Sequence, residues 1–317
     1  MTPVAPPRIG VTLGDPRGIG PEIVRKALAD ARIRALAATW VVVGPSGTEQ
    51  AATEVVGVWA PCGQTALDAA QAGALAGRAI ETAARHALTG HFDGVVTAPI
   101  DKLALFLGGF DFPGHTEMLG AIAGCPTTMM LASERLRVVL ATTHIALRDV
   151  PAMLTNACIL QAAEATRTGL RDLFGIDAPR IALCALNPHG GDGGRFGDED
   201  TQLLAPAARA AGLSGPFPAD TVFVRAMRGE FDAVIAPYHD VGMTAIKVAS
   251  FDHAVNVTLG LPFVRTSPDH GTALDIAGQG TASAESMVTA MQMAVGQVAR
   301  RRDGSRIAPP SEIPPRA

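Results

Sequence analysis

Three histidines each follow a short apolar run of the chain, a position that is typical of metal ligands in an α/β protein. They are His144 in TTHIALRDV, His189 in LNPHGGDGG and His239 in APYHDVG. A single histidine at a strand end is more often a hydrogen-bonded structural residue than a ligand. Three of them after parallel strands can meet on one divalent cation and leave positions open for a substrate. Asp240, beside His239, is expected to orient a ligand, to supply a further carboxylate or to cap a turn.

Three further polar side chains suit a phosphate group. Lys247, Asn256 and Arg265 lie in the stretch KVASFDHAVNVTLGLPFVRTSPDHGTALDIAG. Lysine offers a point charge, arginine a planar fork and asparagine an amide donor, which together match a phosphate monoester. The alternative is a set of solvated charges around a strand. The stretch is apolar and rich in glycine, where exposed charge is less expected, so its composition favours the phosphate site.

Two shorter motifs offer further binding groups. In FPGHTE, the Pro-Gly turn presents His115 and Thr116 side by side, where they could hold a hydroxyl or a carboxylate. A capping box that begins a helix is an equally good interpretation of this motif. In GDPRGIGPE, from Gly14 to Glu22, backbone N–H groups at a helix start could approach an anion. This motif is not the GxGxxG dinucleotide fingerprint, and a tight strand-to-helix turn without a ligand is the alternative.

The elements that position these residues alternate between short β-branched runs and longer Ala-rich segments, a pattern that predicts an α/β fold with a largely parallel sheet covered on both faces. In such sheets ligands gather at the carboxyl ends of the strands, where the polar clusters lie. The predicted strands are residues 9–13, 40–44, 94–98, 137–143, 180–186 and 233–236. The predicted helices are residues 65–88, 153–173, 201–211 and 283–302, and the Pro-rich tail 308–317 is expected to be extended.

Composition excludes several classes of function. The 317 residues suit two lobes of ordinary domain size rather than a single core. A net charge of −4, with no basic run, argues against a nucleic-acid partner. We expect no membrane span and a cytoplasmic location, because no apolar stretch is long enough to cross a bilayer. The four scattered cysteines suggest reduced, mostly buried thiols rather than a zinc knuckle or a disulfide framework.

Taken in order, these motifs resemble the 4-hydroxythreonine-4-phosphate dehydrogenase family of pyridoxal phosphate biosynthesis. The resemblance runs from Gly14 to Gly278 through GDPRGIGPE, TAPIDK, FPGHTE, TTHIALRDVP, LNPHGGDGG, GPFPADTVF, YHDVG and NVTLGLPFVRTSPDHGTALDIAG. It implies a fold like that of isocitrate and isopropylmalate dehydrogenases, with two α/β/α lobes, a cleft between them and a homodimer. Residues 1–122 and 240–317 would form the first lobe, and residues 123–239 the second lobe with the dimer interface.

The resemblance also implies roles for the site residues. His144, His189 and His239 would bind one divalent metal ion (zinc, magnesium or cobalt), with one histidine supplied across the dimer interface. The substrate would be bound by His115, Thr116, Lys247, Asn256 and Arg265. The implied reaction oxidises 4-phosphohydroxy-L-threonine with NAD or NADP to 2-amino-3-oxo-4-phosphooxybutanoate, which loses carbon dioxide to give 3-amino-2-oxopropyl phosphate. Asp220 and Asp240 are the candidates for proton transfer, and the residues that bind the nicotinamide cofactor are not assigned.

Two departures from the family pattern bear on the substrate. The family motif HDQG is HDVG here, with Val241, and TAPINK is TAPIDK, with Asp101. Oxidation of threonate or erythronate 4-phosphate, as in some relatives, is therefore the alternative reaction. An unphosphorylated dihydrodiol dicarboxylate is less expected as the substrate, because the chain keeps Lys247, Asn256 and Arg265. From other classes, an acyltransferase on a similar fold needs no three-histidine metal site. A metal-buffering or sensory protein would show no reaction that depends on NAD or NADP.

Overall fold

The chain is described by a computed structural model for residues 5–250 and 253–304, so the predicted extended tail lies outside the described residues. Within these residues the chain divides into two compact units. Unit 1 comprises residues 5–127 and 261–304, and unit 2 comprises residues 128–250 and 253–260. None of the described helices is long and apolar enough to span a bilayer.

The strands of the described chain are short and mostly buried. They are β1 (Arg8–Thr12), β2 (Thr39–Ser46), β3 (Glu54–Val58), β4 (Gly94–Thr97), β5 (Thr128–Ala132), β6 (Arg137–Leu140), β7 (Ile181–Cys184), β8 (Ser214–Phe217), β9 (Ala233–Ala236), β10 (Val255–Leu259) and β11 (Val264–Pro268). All residues of β4, β7 and β9 are buried, as expected of strands that helices cover on both faces. The six predicted strands correspond to β1, β2, β4, β6, β7 and β9.

The helices include the four that the sequence predicts and several that it does not. They are α1 (Gly20–Ala29), α2 (Ala31–Arg34), α3 (Thr65–Leu88), α4 (Lys102–Leu107), α5 (His115–Ala123), α6 (Val150–Met153), α7 (Asn156–Phe174), α8 (Ala205–Ala211), α9 (Ala219–Met227), α10 (His239–Ser250) and α11 (Glu285–Gly304). Helix α3 has the predicted bounds. Leu204 and the four residues before it form a π-helical turn that leads into α8, and this turn begins one residue before the segment predicted as one helix.

Unit 1 is built on five parallel strands in the order β3–β2–β1–β4–β11. Helix α3 packs over this sheet, and its buried residue Ile80 shares a core with Phe92, Leu105 and Met118. Helix α4 lies so close to α3 that a methyl group on Gly73 would collide with the carbonyl oxygen of Ala104. Glycine is therefore required where the two helices meet, and this close approach fixes the start of α4.

Unit 2 carries a mixed sheet in the order β10–β5–β6–β9–β7–β8. Strand β5 runs antiparallel to both β10 and β6, and the remaining pairs are parallel. The core formed on one face contains Leu140, Cys184, Phe223 and Ile246. The predicted α/β fold is confirmed, with this antiparallel portion as the exception to the parallel pattern.

The boundaries of the compact units differ from the lobe boundaries that the resemblance implies. Residues 240–250 and 253–260, placed in the first lobe by the resemblance, cluster with unit 2. The physical reason is that β10 pairs with β5, and α10 packs against β6 and β9. Unit 1 therefore resumes at residue 261, just before β11.

Candidate active site

Two of the predicted metal ligands, His144 and His239, lie side by side in unit 2. His144 follows β6, and His239 begins α10 just after β9, the parallel neighbour of β6. The segments that leave these two strands are tied together, because the Thr142 hydroxyl donates to the carbonyl oxygen of Pro237 at 2.7 Å. The centroids of the two imidazole rings are 5.7 Å apart.

The orientation of His239 is set by its neighbour in the chain. Nδ1 of His239 is hydrogen-bonded to Oδ1 of Asp240 at 2.7 Å, which leaves Nε2 as the ring nitrogen available to a ligand. A carboxylate on the second nitrogen of a metal-binding histidine fixes its tautomer and raises its basicity. Of the three roles that the sequence leaves open for Asp240, the structure favours orienting a ligand.

His189 follows β7, which is the other parallel neighbour of β9. It is exposed, in a loop whose residues 189–194 all have positive φ, with φ of 55° at His189 itself. The Asp200 carboxylate anchors the start of this loop by accepting from the backbone N–H groups of Leu186 and Asn187 at 2.7 and 2.9 Å. Within the described part of the chain, no three His, Cys, Asp or Glu side chains are placed to hold a metal ion. The three-histidine site therefore stays a prediction.

The two predicted acid–base residues, Asp220 and Asp240, line one groove of unit 2. This groove has a volume of about 750 Å³ and lies between α9 and α10. Its walls are mainly apolar and include Val241, the residue that replaces the family's glutamine. Tyr238 also lines the groove, and burial, together with Cys184 and Asp240, raises the pKa of its hydroxyl. Sequence reasoning does not identify Tyr238, whose one signal is its place beside His239 in APYHDVG.

Lys247 and Asn256 lie on different elements of unit 2. Lys247 is in the last turn of α10, two turns after His239, so the two residues lie near one stripe of the helix. Asn256 is on β10 opposite Leu131 of β5. Its buried Oδ1 has no hydrogen-bond partner among the described residues. A buried amide oxygen in this state is a candidate acceptor for a ligand.

Arg265 and His115 are two predicted substrate-binding residues that lie in unit 1. Arg265 lies on β11 with 1% of its surface exposed, and its Nη2 donates to Thr97 Oγ1 at 2.6 Å. Burial lowers the pKa of its guanidinium to about 9, and the Glu117 carboxylate opposes this shift. Burial also lowers the pKa of His115 well below its usual 6.5, and Arg265 and Lys102 lower it further. His115 is therefore neutral at pH 7, and its buried Nε2 has no hydrogen-bond partner among the described residues.

The alternatives that the sequence left open for the two shorter motifs are resolved differently. Helix α5 begins at His115 with Gly114 as its N-cap, and no side chain caps it, so the structure does not support a capping box at FPGHTE. Thr116 is the second residue of this helix, and its carbonyl oxygen accepts from the Thr127 hydroxyl.

In GDPRGIGPE, the backbone N–H groups just before the helix start are already bonded within the chain. Those of Arg17 and Gly18 donate to Asp15, and that of Ile19 donates to the carbonyl oxygen of Thr272. The structure therefore supports the tight-turn interpretation of this motif.

The chain matches the family model described as pyridoxal phosphate biosynthetic protein PdxA over residues 21–294. A protein of Paracoccus denitrificans named 4-hydroxythreonine-4-phosphate dehydrogenase is 44% identical over 329 residues, covering 95% of this chain and 100% of the relative. A protein of the same name from Desulfosudis oleivorans is 42% identical and covers 92% and 96% of the two chains.

A solved structure shows the same similarity at the level of the fold. The crystal structure of 4-hydroxythreonine-4-phosphate dehydrogenase from Klebsiella pneumoniae superposes with a TM-score of 0.78 at 38% identity, over 94% of this chain and 99% of that one. The match spans both compact units and every segment that carries a predicted site residue. The chain therefore belongs to the PdxA family of 4-hydroxythreonine-4-phosphate dehydrogenases.

Proposed function

We propose that this enzyme oxidises 4-phosphohydroxy-L-threonine with NAD or NADP, in the pathway to pyridoxine 5′-phosphate. The observation that carries the proposal is the match to the family model over residues 21–294 and to relatives of this activity over more than nine tenths of the chain. Hydride passes from the carbon that bears the secondary hydroxyl to the nicotinamide, and the hydroxyl proton passes to a base. The resulting β-keto acid loses carbon dioxide to give 3-amino-2-oxopropyl phosphate.

The paired histidines of unit 2 fit a divalent metal ion. Two imidazoles that bind one ion at about 2 Å from each nitrogen have ring centroids roughly 5 Å apart, close to the 5.7 Å between His144 and His239. These two residues would hold the ion, with His189 as the third ligand. When bound, a divalent ion lowers the pKa of a substrate hydroxyl and stabilises negative charge on its oxygen. Zinc, magnesium and cobalt are the proposed ions.

Residues of the chain hold the substrate and move its proton. Arg265, held by Thr97, offers a fixed guanidinium to an anionic group of the substrate, and neutral His115 offers a hydrogen bond from Nε2. Thr116, Lys247 and Asn256 complete the proposed substrate set. Binding energy from these contacts, remote from the reacting carbon, fixes its geometry. Asp220 and Asp240, on the groove beside His239, are the proposed proton acceptors.

We further propose that the enzyme is a cytoplasmic homodimer, with one metal ligand crossing the interface. Two of the three histidines meet within the described part of one chain, which supports a site that a second subunit completes. All four cysteines are free, which supports a reducing compartment. Only Cys184 is buried, so the expectation of mostly buried thiols is wrong.

The test follows absorbance of the reduced nicotinamide with purified protein, 4-phosphohydroxy-L-threonine, NAD⁺ or NADP⁺, and a divalent metal. The expected result is a rise that a chelator abolishes and added metal restores. A rise only with threonate or erythronate 4-phosphate would keep the reaction type and replace the substrate. No rise with any of these acids would refute the proposal. If the protein binds metal but shows no redox reaction, it is a metal-binding protein. If it transfers an acyl group without metal, it is an acyltransferase.

A further inference from the structure

Unit 1 contains a cationic side chain near His115 that no assigned role uses, and both this side chain and Arg265 act electrostatically on His115. Lys102 is the first residue of α4, in the segment TAPIDK that follows β4. We propose that Lys102 binds an anionic group of the substrate, a phosphate or a carboxylate, together with His115 and Arg265. This inference rests on the proposed function and adds a residue that determines which substrates the site accepts.

The position of Lys102 is set by the close packing of α3 and α4 and by Gly114. A Cβ atom on Gly114 would lie 3.8 Å from Lys102 Cε and 3.4 Å from Glu117 Oε2. The lysine stem therefore runs past the start of α5, where His115 is the first helical residue. Because Gly114 has no side chain, the space between Lys102 and this helix start stays open to a small group.

The groups that face this space suit an oxyanion. Arg265 brings a buried guanidinium, and Lys102 adds an exposed ammonium group on a long stem. The His115 Nε2 atom is buried and has no hydrogen-bond partner among the described residues, so it can serve a ligand. The first-turn N–H groups of the nine-residue helix α5 also favour negative charge. Glu117 is a carboxylate near this cluster, and its interaction with Arg265 partly balances the positive charge.

The experiment compares anion binding by the full-length protein and by Lys102→Gln, Lys102→Arg and the control Arg34→Gln. Arg34, an exposed residue of α2 in the same unit, gives a control with the same change in net charge. Calorimetric titrations with inorganic phosphate and with acetate require no turnover, so they test this site even if the proposed reaction fails. Circular dichroism and thermal unfolding confirm that each variant is folded.

We expect Lys102→Gln to weaken binding of one anion about ten-fold or more, the loss typical of a charge-assisted hydrogen bond. Lys102→Arg should keep most of the affinity, and Arg34→Gln should match the wild type. If Lys102→Gln loses affinity for phosphate, the site binds the phosphate group of the substrate. If it loses affinity for acetate alone, the site binds the carboxylate. Wild-type affinity for both anions in Lys102→Gln would overturn the proposal, as would no binding of either anion by the wild type or an equal loss in Arg34→Gln. If the enzyme is active, Lys102→Gln should raise KM for the substrate more than it lowers kcat.

Discussion

The protonation of His115 gives the folded protein a pH dependence whose sign is fixed by burial. The unfolded chain takes up a proton at this residue near pH 6.5, whereas the folded chain does so only well below that value. The contribution to stability is therefore fully present above pH 6.5 and is lost as the pH falls below it. When the pH falls from 7.5 to 5.5, we expect the free energy of unfolding to decrease by about 1 kcal/mol less in His115→Gln than in the wild type.

The free energy of unfolding in urea, measured for both proteins at the two pH values, checks this prediction. Equal losses in wild type and variant would show that His115 titrates normally in the folded chain.

The hydrogen bond between Asp240 and His239 gives a second test at the level of single residues. Asp240→Asn keeps the shape of the side chain and removes the carboxylate that fixes the His239 tautomer. Because such a partner commonly contributes a factor of about 10 to 100 to metal affinity, we expect weaker metal binding by that factor. Competitive titration against a metallochromic chelator measures it, with Glu164→Gln on α7 as an exposed-carboxylate control. Unchanged affinity in Asp240→Asn would remove Asp240 from the metal site.

Single residues also show what the sequence could and could not predict about the site. Placement of His144 and His239 after apolar strands was sufficient to bring both to the same end of neighbouring strands. The distance between their rings depends on loop contacts such as Thr142 to Pro237, for which the sequence has no signal. Lys102 stands in a family motif, but its proximity to His115 depends on how closely α4 packs against α3.

At the level of elements, the cap of α4 gives a prediction about the family departure at Asp101. The Asp101 carboxylate accepts from Ala104 N at 2.7 Å, and it also lies 3.7 Å from Arg17 Nη2. Asparagine caps a helix as well as aspartate does, so Asp101→Asn should change stability by less than about 0.5 kcal/mol, whereas Asp101→Ala should lose about 1 kcal/mol. Loss of a negative charge beside Lys102 should also tighten phosphate binding in Asp101→Asn.

Urea unfolding and phosphate titration of these two variants separate the cap from the charge. Weaker phosphate binding in Asp101→Asn would indicate that the carboxylate orients Lys102 rather than opposing the anion.

The contact between helices α3 and α4 can also be tested. Gly73→Ala places a methyl group against the Ala104 carbonyl, so the helices must separate, and we expect a loss of roughly 1–3 kcal/mol in stability. Gly296→Ala on α11 is the matched control. Its nearest neighbour would be the flexible end of Arg300 at 3.3 Å, and the change should be neutral or stabilising by up to about 1 kcal/mol. Urea unfolding measures both, and a neutral Gly73→Ala would show that α4 can shift freely.

The elements that the sequence predicts are those with a strong local pattern. Strands β4, β7 and β9 are buried along their whole length and appear as continuous apolar runs. Strand β3 is only partly buried, and β8 has the sequence SGPF with two turn-forming residues, so neither shows such a run. The sequence analysis does not predict helix α10, because the polar residues of YHDVG interrupt the apolar pattern at its start.

For the whole molecule, the proposed division of the metal ligands between subunits predicts complementation between inactive variants. Co-expressed His189→Ala and His239→Ala chains form mixed dimers in which one of the two sites keeps all three histidines, if one of these residues crosses the interface. We therefore expect part of the activity to return in the mixture, while each variant alone stays inactive. Activity assays of dimers purified through two different affinity tags check this. No recovery would show that neither His189 nor His239 crosses the interface.

The order of the sequence also constrains how the molecule is made. Strand β11 pairs with β4, yet 166 residue positions separate Thr97 from Val264, and all of unit 2 lies between them. During synthesis, strands β1 to β4 leave the ribosome first, and β4 has no β11 to pair with until the end of the chain follows. By then all of unit 2 has left the ribosome and is able to fold. Arg265 arrives with this last strand. A nascent or truncated chain that ends before β11 thus cannot carry the guanidinium proposed to hold the substrate, which ties activity to completed synthesis.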